Sequence, residues 1–183
     1  MNVHYEVELA LVIGRPAKNL NFDSLSDAEA TKQATSYVSS YVLGIDLTAR
    51  NIQEAAKKAG LPWTIAKGFD TFLPISSSIP KTKIADPHAC RIWLKVNGET
   101  KQDDSTDLML FRIPRILQDI SKVMTLEEGD LVLTGTPKGV GRIVSGDRVT
   151  CGLEVNGKAV EEGSIEIAVE DAPSGGYVWE SKL

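Results

Sequence analysis

Cysteine, positive charge and long apolar runs are all scarce in this chain, and each scarcity removes a class of protein. The two cysteines, Cys90 and Cys151, stand far apart and outside any metal-spaced cluster. They read as small buried hydrophobes and as reduced thiols suited to a cytosol-like compartment. Lys and Arg number 20 against 25 Asp and Glu, a net charge of −5. Nucleic acid binding rests on clustered Lys and Arg, so that balance argues against it, and against an anionic membrane surface. No apolar run approaches a transmembrane span. The N-terminus lacks a basic region and meets glutamates at once, so it reads as neither a signal peptide nor a mitochondrial presequence. Neither an internal repeat nor a linker divides the 183 residues, 42% of them hydrophobic. The expectation is a single domain over 1–183, long enough to bury a substantial core.

What is present begins with His4-Tyr5-Glu6-Val7-Glu8, opening an apolar run that reaches Ile13. Read as a strand, period-two geometry puts Glu6 and Glu8 on one face with His4 beside them, and turns Tyr5, Val7, Leu9, Leu11 and Ile13 toward a core. Neighbouring carboxylates repel, and a hard divalent cation with oxygen ligands relieves that repulsion. An exposed strand face with two solvated glutamates is the plain alternative.

Further along, residues 17 to 31 are polar and lead into a helix expected over Asp27 to Tyr37. Val38 to Leu47 reads as a buried strand that delivers Asp46. A helix follows from Arg50 to Ala59, with Thr48 as a candidate cap, Gly60 at its C-terminal end, and Arg50 and Gln53 three apart on one face. Lys67 sits among apolar and aromatic residues, either snorkelling at a strand edge or serving a site. Arg91 to Val96 runs into Asn97-Gly98, a two-residue hairpin signal. Asp103, Asp104 and Asp107 lack EF-hand spacing and read as a solvated turn. Ile113 to Met124 carries a helical apolar stripe. Leu131 to Leu133 is a strand that breaks into Thr134-Gly135-Thr136-Pro137-Lys138-Gly139-Val140-Gly141, bringing backbone amides close to whatever sits there without matching a P-loop. Strands over Arg148 to Val155 and Ser164 to Glu170 flank an Asn156-Gly157 turn, and the tail from Pro173 reads as a loop.

Four stretches, in order, resemble the fumarylacetoacetate hydrolase family, in its acylpyruvase and oxaloacetate decarboxylase branch. They are His4 to Glu8, Asp46 to Gln53, Gly60 to Lys67, and Leu133 to Gly141. The resemblance implies an α+β fold, a mixed β-strand roll with peripheral helices, assembled as a homodimer. It implies Mg2+ or Mn2+ on Glu6, Glu8 and Asp46, Lys67 in catalysis, Arg50 and Gln53 near the substrate, and Thr136 at the pocket wall. An all-oxygen set disfavours zinc. Three carboxylates around one divalent cation leave about one negative charge, which Lys67 or Arg50 can offset.

Relatives carry a further N-terminal segment with a lid His and Glu that activate water, and the sequence here starts just before the metal strand. His4 is therefore the candidate base should water be activated. The expected substrate is a short 2-oxo acid with a second carbonyl or carboxylate at the β position. The expected reaction is C–C cleavage through a metal-stabilised enolate, with decarboxylation favoured over hydrolysis. Keto–enol or double-bond isomerisation on the same substrate, and a non-catalytic metal-binding remnant, are the alternatives. The family resemblance leaves the cytoplasm and the mitochondrion both open.

Overall fold

A computed structural model of the chain describes residues 1–172 and 177. Its architecture is sheet-rich with few helices, the α+β arrangement predicted from sequence. Three sheets carry it. In the first, β1 (Val3–Tyr5) lies between β4 (Thr48–Ala49) and β9 (Gly141–Ile143). In the second, β2 (Val7–Ile13) and β3 (Val38–Ile45) pair antiparallel, with β8 (Leu131–Leu133) beside β2 and β5 (Ile79–Pro80) beside β3. The third runs β11–β10–β6–β7, from β6 (Cys90–Val96), β7 (Glu99–Ser105), β10 (Arg148–Val155) and β11 (Lys158–Ala168). One apolar cluster draws on all three sheets, joining Tyr5, Leu9, Leu43, Leu94, Ile143 and Leu153.

The opening strand is not continuous. It breaks at Glu6, where the chain leaves the first sheet for the second. Strand β2 lies between two neighbours, and Ala10 is buried as well as Leu9 and Leu11. Tyr5, Val7, Leu9, Leu11 and Ile13 all face the core as expected. The glutamates do not lie on a solvated face: Glu6 is 9% exposed and Glu8 5%.

Local signals set most of the remaining elements. Helix α1 (Asp27–Thr35) starts with a capping box, Ser26 and Glu29 satisfying each other's backbone amides. Both Asn-Gly pairs turn hairpins with left-handed backbone, Asn97 at φ 52° and Gly98 at 83° joining β6 to β7. Helix α2 (Arg50–Lys58) has no side-chain cap, because Ala49 occupies the capping position and Thr48 is used elsewhere. Helix α4 (Ile113–Val123) buries Ile113 and Leu117, while the predicted stripe fades at Val123 and Met124, both well exposed.

Three further expectations are corrected. Asp103 and Asp104 lie on β7 rather than in a turn, where cross-strand Arg91 holds Asp103. Lys67 ends a one-turn helix, α3 (Thr64–Lys67), and not a strand edge. The final strand begins at Lys158, six residues before the expected start, because the Asn156-Gly157 turn pairs it with β10 at once. The tail expected to be a loop from Pro173 lies outside the described residues, apart from Tyr177, whose ring meets Phe69 edge-on.

Candidate active site

The break at Glu6 brings separate parts of the chain together. Oxygens of Glu6, Glu8 and Asp46 all lie within 4.8 Å of one another. Glu8 reaches that point from β2, Glu6 from the break just before it, and Asp46 by following the end of β3, where its backbone N–H bonds to the Glu6 carbonyl at 2.8 Å. The Lys67 ammonium enters from α3 and donates to Asp46 at 2.5 Å and to Glu6 at 3.0 Å. Arg50, at the start of α2, donates to Glu6 at 2.9 Å and to the Gln53 side-chain oxygen Oε1 at 2.7 Å. That contact turns the Gln53 amide N–H2 away from Arg50. Thr48, read from sequence as a cap, donates its hydroxyl to Glu6 instead.

Glu8 is held differently. Its one hydrogen-bond partner among the described residues is the backbone N–H of Gly135, at 2.6 Å. Burial is the largest influence on this carboxyl and pushes its pKa up to about 7, and the nearby Asp46 and Glu6 charges add to the shift. Burial likewise raises Asp46 above the usual carboxylate range, against the pull of Lys67. A divalent cation fits this arrangement: three converging oxygen donors, one of them buried with no cationic partner of its own among the described residues.

Thr136 stands beside the same corner, its hydroxyl donating to the Val7 carbonyl at 2.8 Å. His4 lies on β1 opposite Thr48 and Arg142 and contributes no nitrogen to the acidic cluster. Its pKa is lowered, first by burial and then by Arg50, which favours the neutral imidazole. Of the residues picked from sequence, Glu6, Glu8, Asp46, Lys67, Arg50 and Gln53 thus form one connected group, with Thr136 and His4 at its margins.

Sequence reasoning missed Thr48 as a partner of Glu6, and it missed Gln102. Gln102 is 1% exposed and reaches the Val7 N–H from β7 at 3.0 Å. Nothing in the local pattern of an Asp-rich strand marks that glutamine.

A separate cavity lies elsewhere. It measures about 590 Å³ and is lined by Tyr41, Lys81, His88 and Arg112, with none of the acidic triad. Its buried His88 accepts the Ile113 N–H at 3.1 Å at the start of α4, a structural duty. Volume and chemistry disagree here, and the converging carboxylates are the better guide.

A sheet-rich α+β fold with an all-oxygen acidic pocket and a lysine at the corner between two sheets defines a narrow class of domain. The profile of the fumarylacetoacetate (FAA) hydrolase C-terminal family matches residues 1–165, and the chain belongs to that family. It is 48% identical over 153 residues to the mitochondrial oxaloacetate tautomerase FAHD1 of Rattus norvegicus, a match covering 84% of this chain. The chain spans 65% of that relative's length. The crystal structure of yeast ynq8, a fumarylacetoacetate hydrolase family protein, superposes with a TM-score of 0.88 at 40% identity, covering 98% of this chain and 72% of that one. Fumarylpyruvate hydrolase from Pseudomonas aeruginosa, solved in complex with Mn2+ and pyruvate, superposes at 0.79 with 31% identity, covering 92% of this chain and 66% of that one.

Proposed function

We propose that this chain is a metal-dependent enzyme of short 2-oxo acids, cleaving a C–C bond next to an enolate. Its candidate substrates are oxaloacetate and acylpyruvates. The observation that carries the reading is the meeting of Glu6, Glu8 and Asp46 with the Lys67 ammonium in one pocket. Glu6, Glu8 and Asp46 would hold Mg2+ or Mn2+, which when bound supplies the Lewis acidity that stabilises an enolate.

The chain's own side chains supply the remaining chemistry. Lys67 carries its positive charge to the pocket wall, where it offsets developing negative charge and can return a proton to the enolate carbon. Arg50 and Gln53 lie three residues apart on α2 and are coupled, so a substrate carboxylate can meet a guanidinium and an amide N–H2 together. Thr48 and Arg50 fix Glu6 from two sides and keep its carboxylate aimed at the pocket. His4, held toward the neutral form, is the residue to test for a base wherever water must be activated.

A second reading is favoured by one specific observation: the rat relative bears the name of an oxaloacetate tautomerase. Proton transfer between keto and enol forms uses the same Lys67 and the same stabilised enolate, and needs no attacking water. One assay separates the readings. Oxaloacetate and acetylpyruvate are offered side by side with Mg2+ or Mn2+, with and without chelator, following carbon dioxide, pyruvate and loss of the enol absorbance. Chelator-sensitive pyruvate release supports cleavage. Enol loss without pyruvate supports tautomerisation. Activity on neither acid refutes both.

A homodimer forms part of the proposal. Leu108, Leu110 and Phe111 are exposed on the segment between β7 and α4, Leu110 at 94%. Beside them lies a cavity of about 350 Å³ walled by Phe22, Leu25, Ala30 and Pro114. Under twofold symmetry one copy's Leu110 can face the other's cavity. Sedimentation velocity of Leu110→Asp checks it: a monomer is expected, and an unchanged dimer removes this face from the interface.

A further inference from the structure

At the corner between the first two sheets, β2 starts at Val7 while its neighbour β8 pairs only with Ala10 to Val12. Two side chains take the place of the missing strand. Gln102 Oε1 accepts the Val7 N–H at 3.0 Å, and the Thr136 hydroxyl donates to the Val7 carbonyl at 2.8 Å. The Gln102 amide then donates from Nε2 to Thr136 Oγ1 at 2.9 Å and to the Pro137 carbonyl at 2.8 Å. Its orientation follows from backbone chemistry, since an N–H can only donate and a carbonyl can only accept. The loop is pressed onto β7 as well. Gly139 has φ 96°, and a Cβ there would run into the Lys101 carbonyl oxygen.

The consequence falls on Thr136. Its single hydrogen is committed to Val7 O, and one lone pair is committed to Gln102. One lone pair remains, so toward any ligand that reaches it the hydroxyl can accept a hydrogen bond but not give one. We infer that Gln102 is a positioning residue that fixes Thr136 as an acceptor only, so that this wall of the site selects a ligand hydroxyl, such as an enol O–H, over a ketone oxygen. This rests on the proposed 2-oxo acid function and adds to it which tautomer the wall favours. Ketone and carboxylate oxygens are left to the donors Lys67, Arg50 and Gln53.

Binding reads this out without turnover. Pyruvate and lactate share a carbon frame and differ in presenting a carbonyl or a hydroxyl at carbon 2. Their affinities for the Mn2+-loaded chain are measured by calorimetry for wild type, Thr136→Val, Thr136→Ser and Gln102→Leu. Thr136→Val is expected to weaken lactate about fivefold, the size of one hydrogen bond, and to leave pyruvate unchanged. Thr136→Ser restores lactate binding. Gln102→Leu unlocks the hydroxyl, narrows the lactate-to-pyruvate ratio, and speeds hydrogen exchange at the Val7 amide. Equal weakening of both acids by Thr136→Val overturns the acceptor assignment. An unchanged ratio in folded Gln102→Leu overturns the positioning role, and if that variant does not fold, the Thr136 pair still decides the polarity. Wild type that takes up Mn2+ but neither acid overturns the proposed function itself, and this inference with it.

Discussion

Two groups of charged residues invite comparison: the pocket of Glu6, Glu8, Asp46, Lys67 and Arg50, and the trio Arg91, Asp103 and Glu154 on the third sheet. Both pair carboxylates with cations at short range. Arg91 grips Asp103 through two bonds of 2.7 and 2.6 Å and Glu154 through one of 2.6 Å. The carboxyls nevertheless shift in opposite directions. Asp103 is pulled below the usual range, chiefly by its hydrogen bonds to Arg91. Asp46 is pushed above it by burial, although Lys67 lies at 2.5 Å. Pairing dominates at the more exposed carboxyl, and desolvation dominates at the more buried one. Both sets have one more carboxylate than cation, but only in the pocket is the extra carboxylate, Glu8, buried, and a buried excess charge is what a divalent cation fits.

The largest effect that sharpens this contrast is expected at Lys67. Lys67→Ala should lower kcat by on the order of 100-fold or more, the cost of removing a donor aimed at developing charge. The same change should preserve or tighten metal affinity, because the ammonium no longer satisfies Glu6 and Asp46. Steady-state assay with a metal-binding isotherm checks both halves. Undiminished turnover would remove Lys67 from the chemistry.

The next effect is a pH dependence at Glu8. Its folded pKa, about 7, lies above the ordinary value of 4.5, so the fold prefers the protonated carboxyl. The stability this contributes to the metal-free protein is full below pH 4.5, falls as pH rises, and is gone above pH 7. The upper bound is about 3 kcal/mol. Denaturant unfolding without metal should show that fall, and Glu8→Gln should flatten it. Metal binding requires the deprotonated form, so affinity should rise with pH up to about 7 and level off above it. A pH-independent affinity would break the comparison.

The smallest effect belongs to the exposed trio. The Arg91 side chain is 46% exposed, and Arg91→Ala should cost less than about 1 kcal/mol, with the loss shrinking further in salt. Thermal unfolding at low and high salt reads it. A loss as large as that at Glu8 would mean that exposure does not separate the two groups.

How much of this was legible in sequence follows from how far each signal travels along the chain. Period two alone placed Glu6 and Glu8 on one face, the Ser26–Glu29 box marked the start of α1, and the Asn-Gly pairs turned both hairpins. Arg50 and Gln53 meet because helical spacing makes them meet. The break at Glu6 was hidden, because it depends on β4 and β9 capturing β1 from distant parts of the chain. Gln102 was hidden for the same reason: its partner Val7 is 95 residues away. Thr48 looked like a cap because its local setting allows one, and only the fold supplies the carboxylate it bonds. The four stretches that carry the family resemblance located the pocket, whereas the groups that orient it lie partly outside them.

The bond from Gly135 to Glu8 has a kinetic consequence. It spans 127 residues, so the acidic strand waits for a loop made much later in synthesis to complete its surroundings. Contacts so distant in sequence form slowly and late. During refolding, tight cation capture should trail the return of secondary structure, and the arrival of bound metal would time the closing of the last long loop.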